Sequence, residues 1–90
     1  MQSDKPADYL YKKLFHRSKY RGTKELDILI GAFAEQHLHS FSDDDLLLYE
    51  QIIDIEETIL YNALLGKEVL APQYNHHIWQ KIYDFMHHRL

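Results

Sequence analysis

Residues 21–38 of the chain read Arg-Gly-Thr-Lys-Glu-Leu-Asp-Ile-Leu-Ile-Gly-Ala-Phe-Ala-Glu-Gln-His-Leu. The apolar residues of this stretch recur every three or four positions, which is the spacing of one face of an α-helix. The first turn would contain Glu25 and Asp27, which suit the positive end of the helix dipole. The pattern predicts a helix with one buried face, whose apolar stripe consists of Leu26, Leu29, Ile30, Phe33, His37 and Leu38.

The start of this helix departs from the usual rules at Arg21 and Gly22. A cation lies near the positive end of the dipole, where anions are favoured, and glycine costs about 1 kcal/mol relative to alanine within a helix. Arg21 also precedes Glu25 by four residues, which is the weaker orientation for a helical ion pair. Because such departures tend to occur at functional sites, this junction is the first candidate site.

Two more helices are predicted on either side of this one. Asp4 can cap the first of them, with Pro6 in its opening turn. Ser42 is expected to cap the third helix, where its hydroxyl would accept a hydrogen bond from the backbone N–H of Asp45. The third helix has a wide apolar surface that indicates central burial, formed by Leu48, Tyr49, Ile52, Ile53 and Ile55.

The second half of the chain predicts two further helices. A break near Asp54 would separate the third helix from the fourth, which Gly66 would end. The inner face of the fourth helix is expected to hold Ile59, Leu60, Ala63 and Leu64. After a loop over residues 67–72, the last helix is expected to carry Tyr74, Ile78, Trp79, Ile82, Phe85 and Met86. No window shows the alternation typical of a strand, so we expect an all-α fold, a compact bundle of about five short helices.

Composition excludes several functional classes. A chain of 90 residues is expected to form a single domain, residues 1–90, and its 46% hydrophobic content argues against disorder. The formal net charge of −4 argues against a nucleic-acid binder and against a polybasic membrane contact. No cysteine is present, which excludes disulfides and thiol chemistry. No apolar run approaches the roughly 20 residues of a membrane span.

The first residues, Met-Gln-Ser-Asp-Lys-Pro, favour a cytoplasmic location. They lack the apolar core of a secretory signal, and an acidic residue occurs too early for a typical organelle transit peptide. A cytosolic protein is the simplest interpretation of this composition.

Seven histidines raise the possibility of a metal site. The pairs His76-His77 and His87-His88 are eleven residues apart, which corresponds to roughly 16 Å along a helix, too far for one ion. No His-Glu-x-x-His pattern is present, so exposed histidines are favoured over metal ligands. The acidic run Asp43–Asp45 could bind a cation, but its position after Ser42 favours helix capping. We find no motif for a catalytic nucleophile and assign no catalytic residue.

Two interpretations of Arg21, Gly22 and Glu25 remain open on the residues alone. Gly22 could be the N-cap, with Glu25 reaching back to its backbone N–H as half of a capping box. Alternatively, Gly22 has no side chain and so lets the backbone of a partner approach closely. The planar guanidinium of Arg21 would then donate hydrogen bonds to the partner, and Glu25 would supply a carboxylate beside it. A charged patch without a cleft fits recognition of a partner better than catalysis.

The segment Arg21-Gly22-Thr23-Lys24-Glu25 resembles the Arg-Gly-x-x-Glu signature of the succinate dehydrogenase assembly factors, namely bacterial SdhE and the mitochondrial assembly factor 2 (Sdh5). The similarity covers about residues 10–72. Its other parts are Ile28-Leu29, Phe33–Leu38, Ser42–Asp45, Leu48–Ile53, Asn62 and Ala71-Pro72. This chain departs from the family pattern at Tyr20, where many relatives have arginine, at Thr23, where methionine is usual, and at Ala63, where tryptophan is common.

The resemblance implies a five-helix assembly factor that is not an enzyme. It would bind the flavoprotein subunit of succinate dehydrogenase, and in some bacteria that of fumarate reductase, and promote covalent attachment of FAD to a histidine of that subunit. FAD would act in the client and would not be bound stably by this chain. Arg21, Gly22 and Glu25 would contact the client, with Asp27 as an additional contact. The alternative is a helical interaction or regulatory adaptor without a flavoprotein client.

Overall fold

Five α-helices account for most of the described chain, and no strand occurs among the described residues. The structure is a computed structural model that describes residues 6–20 and 24–89. The helices are α1 (Pro6–Lys19), α2 (Lys24–His37), α3 (Asp43–Ile53), α4 (Glu57–Leu64) and α5 (His77–Arg89). Short 3-10 turns occur at Leu38–Ser40 and Pro72–Tyr74. The predicted all-α class is therefore confirmed, whereas the predicted cap at Asp4 lies outside the described residues.

The beginnings of α3 and α4 are fixed by side chains that accept hydrogen bonds from the backbone. The Ser42 hydroxyl accepts from the Asp45 N–H at 3.1 Å, which confirms the predicted cap. The Glu56 carboxylate caps α4 by accepting from the N–H groups of Thr58 at 3.0 Å and Ile59 at 3.3 Å. These bonds satisfy N–H groups that have no partner within the helix. The predicted break at Asp54 is also confirmed, because α3 ends at Ile53.

The end of α4 explains the glycine at position 66. Gly66 has a φ of +80°, in the left-handed region that L side chains rarely adopt. The Gly66 N–H donates to the Ala63 carbonyl at 3.1 Å, and the Lys67 N–H donates to the Asn62 carbonyl at 2.8 Å. This pair of bonds is the Schellman arrangement that ends many helices. The prediction that Gly66 ends the fourth helix is confirmed.

Three sequence predictions about the helices are wrong. Ile55 is buried, as predicted, but it lies beyond α3, which ends at Ile53. Ile59 is 39% exposed and does not belong to the inner face of α4, which consists of Leu60, Ala63 and Leu64. Ile59 precedes Ala63 by four positions but lies at the edge of the buried stripe, where spacing alone does not decide burial. Tyr74 precedes α5 instead of belonging to it, because the Nδ1 atom of His76 accepts from the Trp79 N–H at 3.3 Å and caps the helix there.

The core is built around α2 and α3, with Phe33 at its aromatic centre. The Phe33 ring is fully buried, and its centroid lies 5.9 Å from that of Tyr49 and 5.4 Å from that of Phe85. Phe41 adds a third aromatic neighbour at 6.0 Å. The surrounding buried residues include Leu14, Leu26, Ile30, Leu38, Ile52, Ile53, Leu60, Leu64, Ile78, Ile82 and Met86. This arrangement confirms the central burial predicted for the third helix.

A buried hydrogen-bond chain joins α1 to α3. Ser18 is the buried polar residue of the described core, and its hydroxyl donates to the Leu14 carbonyl at 2.6 Å. Since a serine hydroxyl has one hydrogen, the Tyr49 hydroxyl is the donor in its 2.6 Å contact with the Ser18 Oγ. Ion pairs of Lys13 with Glu50, at 2.8 Å, and of Arg17 with Asp54 lie on the outside of the same helix pair.

Candidate functional site

Glu25 and Asp27 are the predicted site residues that the structure describes. Arg21 and Gly22, the other two, lie outside the described residues. The neighbours of the undescribed segment are accessible, since Tyr20 is 68% exposed and both Lys24 and Glu25 are exposed. The described flanks of the junction therefore lie at the protein surface.

The structure does not bring Glu25 and Asp27 into one site. Two residues that are two positions apart on an α-helix project about 200° apart around its axis. Asp27 is half-buried and lines an open groove of about 570 Å³ between the end of α1 and α2, which we call the Asp27 groove. Its remaining lining residues are Lys19, Tyr20, Lys24, Ile28, Gly31, Ala32 and Glu35.

Glu25 faces α4 instead. It lines a groove of about 270 Å³ together with Leu26, Glu57, Thr58 and Tyr61, which we call the Glu25 groove. The residues from α4 were not predicted as part of the site, because the sequence separates Glu25 from Tyr61 by more than thirty positions. The Glu-Glu-Thr segment at residues 56–58 indicated a helix start, and nothing in it indicated a position beside Glu25.

A third groove connects these two surfaces. It has a volume of about 480 Å³ and lies between the end of α1 and the turn from α3 to α4. Tyr20 lines both this groove and the Asp27 groove, while Glu57 lines both this groove and the Glu25 groove. Its lining residues are Arg17, Tyr20, Ile53, Asp54, Ile55, Glu56 and Glu57. The candidate site is therefore a band of three adjoining grooves around the junction.

Ion pairs fix the end of α1 beside this band. The Lys19 amine contacts the Glu35 carboxylate at 2.6 Å, and this bond raises the pKa of Lys19 above its ordinary value. The Lys19 Nζ also lies 5.1 Å from the centroid of the Phe15 ring. On the other side of α1, Arg17 pairs with Asp54. The last turn of α1 is thus held to α2 and to the end of α3.

His77 and His87 form contacts that the sequence did not predict. The Nε2 atom of His77 contacts an Asp45 carboxylate oxygen at 2.7 Å, and this contact lowers the pKa of Asp45. His87 Nε2 donates to the Leu64 carbonyl at 3.0 Å and so helps to end α4. Each of these side chains has a structural partner. Within residues 6–20 and 24–89, no three histidine or carboxylate side chains are grouped as metal ligands would be.

The environment of His76 should make the stability of the folded protein depend on pH. Its Nδ1 accepts the α5 cap bond, so the ring hydrogen is on Nε2, a buried atom without a hydrogen-bond partner among the described residues. Burial, followed by the nearby His77, lowers the pKa of His76 below 6.5. The unfolded chain therefore binds more protons, and this contribution to stability is complete above about pH 6.5 and declines as the pH falls through the native pKa.

This dependence is measured by urea unfolding of the wild type and of His76→Asn between pH 7.5 and 5. Asparagine can cap the helix but does not titrate. The wild type should lose more stability than the variant across this range. Equal losses in the two proteins would show that His76 does not contribute to the pH dependence.

A family model described as Sdh5, "Flavinator of succinate dehydrogenase", matches residues 12–86. The chain belongs to the Sdh5 family. The matched segment contains the entire junction and every residue that lines the three grooves. The family assignment made from the signature and its flanks is therefore confirmed.

Individual proteins named as succinate dehydrogenase assembly factor 2 are also similar to this chain in sequence. A mitochondrial succinate dehydrogenase assembly factor 2 of Caenorhabditis elegans is 46% identical over 77 residues, which cover 82% of this chain and 65% of that protein. The protein of the same name from Dictyostelium discoideum is 31% identical over 65 residues, covering 72% of this chain and 46% of that protein. The chain thus spans about half to two thirds of these relatives. No solved structure gives a significant match.

The cytoplasmic location expected from the sequence is contradicted by these relatives. The Sdh5-family proteins of C. elegans, D. discoideum and Drosophila grimshawi are all named as mitochondrial. The expectation rested on the composition of six residues, and so short a stretch does not determine a compartment. None of the helices in the described ranges combines the length and apolar character needed to cross a membrane.

Proposed function

We propose that this protein binds the flavoprotein subunit of succinate dehydrogenase in mitochondria and promotes the covalent attachment of FAD to a histidine of that subunit. The observation that carries the proposal is the Arg-Gly-x-x-Glu signature at residues 21–25, which lies within the segment matched by the family model. The exposure of Tyr20, Lys24 and Glu25 supports it, because a contact site must be accessible to its partner.

The proposed role of the chain is to position the client. Arg21 would donate to carboxylate or carbonyl groups of the client, and Gly22 would let the client backbone approach closely. Glu25 would accept hydrogen bonds from client donors, and Asp27 would contact a second client segment across the Asp27 groove. Holding reacting groups in a productive geometry can remove several kcal/mol of a reaction barrier.

The bond-forming chemistry is assigned to the client. FAD would supply the ring system to which the client histidine becomes attached, and both belong to the flavoprotein in this proposal. No residue of this chain is assigned as an acid or base, and FAD is not bound stably by it. Because the factor must leave after attachment, we expect a modest interface with a partly polar surface.

Co-expression with the succinate dehydrogenase flavoprotein subunit tests the proposal. Covalent flavin is measured by in-gel fluorescence, and complex formation by co-purification. The wild-type chain should raise covalent flavin well above the level of the subunit expressed alone. Gly22→Arg should abolish both binding and the gain in covalent flavin, because its side chain would block the close approach of the client.

Glu25→Ala separates client contact from helix capping. If Glu25 contacts the client, the variant should bind more weakly while its melting temperature changes little. If Glu25 caps α2, the melting temperature should fall instead. Glu68→Ala is the matched control, because it removes an exposed carboxylate of the loop after α4. A folded Gly22→Arg protein that supports full flavin attachment would contradict the proposed contact.

A further inference from the structure

The Glu25 groove has the size of a site for one side chain. Its volume of about 270 Å³ lies below the usual range of small-molecule pockets, which begins at about 300 Å³. Leu26 is 1% exposed and forms part of an apolar floor, while the half-buried Tyr61 adds an aromatic ring. Thr58 is exposed at the edge and offers a hydroxyl group.

The charged groups of this groove are all acidic. Glu25 comes from α2 and Glu57 from α4, and no lysine, arginine or histidine is among the described lining residues. Neither carboxylate forms an ion pair with a residue that the structure describes. Glu35, Glu50 and Asp54, on neighbouring faces, each have a cationic partner. Among the described residues, therefore, the groove offers two carboxylates without a cationic partner.

We propose that the Glu25 groove binds one arginine side chain of the client flavoprotein, and that Glu57 and Tyr61 of α4 determine this specificity together with Glu25. An arginine stem can pack against Leu26, and its planar guanidinium can stack on an aromatic ring while donating to carboxylates on two sides. A lysine ammonium is compact and strongly hydrated, and it neither stacks nor bonds in a bidentate manner.

This inference rests on the proposed function for the identity of the partner, and it adds α4 to the contact surface. Glu25 is the last residue of the signature, so an arginine in this groove would contact one of the residues that the proposed function assigns to client binding. The groove connects to the end of α1 through Glu57, so the client would cover a continuous surface.

The affinity of the purified flavoprotein subunit for the wild type, Glu57→Gln and Tyr61→Leu tests the inference. Glu57→Gln should bind about tenfold more weakly, because it leaves the guanidinium with one carboxylate. Tyr61→Leu should also weaken binding through loss of the ring face. Glu68→Gln removes a carboxylate from the exposed loop and should bind as the wild type does. Circular dichroism and thermal unfolding check that each variant is folded.

The outcomes separate the two proposals. If the wild type does not bind the subunit, the proposed function is wrong. If the wild type binds and Glu57→Gln binds equally well, the arginine site is overturned while the proposed function stands. If Glu57→Gln and Glu68→Gln weaken binding equally, the effect is one of overall charge, and the arginine site is also overturned.

A charge exchange identifies the client residue. Exposed arginines and lysines of the flavoprotein are changed one at a time to glutamate, and each variant is measured against the wild type and against Glu57→Arg. We expect one client arginine whose replacement weakens binding and for which Glu57→Arg restores most of the affinity. Restoration at a lysine position, or at no position, would overturn the assignment to arginine.

Discussion

Replacing Phe33 with alanine is expected to lower the free energy of unfolding by about 4 kcal/mol. The ring is fully buried, and its aromatic neighbours Tyr49, Phe41 and Phe85 come from three different parts of the chain. Alanine would remove the apolar contacts and leave a cavity that these rings cannot fill together. Because domains of this size are stable by about 5–15 kcal/mol, the loss would be a large fraction of the total.

Urea unfolding monitored by far-ultraviolet circular dichroism measures this effect. Phe33→Leu is the matched control, since it keeps most of the apolar volume and should cost about 1.5 kcal/mol or less. The midpoint of Phe33→Ala should fall without a change in the slope of the transition. A loss below about 1 kcal/mol would contradict the central position that the structure gives to Phe33.

Replacing Gly31 with leucine is expected to cost about 2–3 kcal/mol through overpacking between α1 and α2. Gly31 is buried, and a Cβ at this position would lie 3.4 Å from the Lys19 Cγ and 3.7 Å from the Lys19 Cα. A methyl group fits at these distances, but the further carbons of leucine would have to displace the last turn of α1. The displacement would also move Tyr20 and the Asp27 groove.

Gly31→Ala provides the contrast within the same measurement. Alanine gains about 1 kcal/mol of helix propensity over glycine and makes ordinary contacts here, so the variant should be at least as stable as the wild type. Gly31→Leu should also weaken client binding more than Gly31→Ala does. Two variants of equal stability would show that α1 does not approach α2 closely at Gly31.

Local signals made much of the fold predictable. The Ser42 cap and the end of α4 at Gly66 depend on backbone groups within five positions, so their residue types are sufficient to predict them. The boundary of α5 was predicted less well, because histidine is an uncommon N-cap and the role of His76 depends on the orientation of its ring. Ile59 was misplaced because an isoleucine in a short helix looks the same whether it points inward or outward.

The candidate site was predictable only in part. Glu25 was recognised because it belongs to a contiguous signature, whereas Tyr61 and Glu57 join it because they line the same groove in the folded chain. No pattern within one segment contains that information. The separation of Glu25 from Asp27 does follow from helix geometry, yet the sequence analysis assigned both to one contact site because they are neighbours in sequence. Whether Arg21 and Gly22 meet a client stays a prediction.

The contacts of Arg17 with Asp54 and of Ser18 with Tyr49 have a consequence for association kinetics. They hold the end of α1 to α3 before any partner arrives, so these two helices need not be ordered when a partner binds. Ordering a single flexible side chain on binding costs about 0.5–1.5 kcal/mol, and prior rigidity avoids that cost. Under the proposed function, this prior rigidity would let the chain associate with its client rapidly through a small surface.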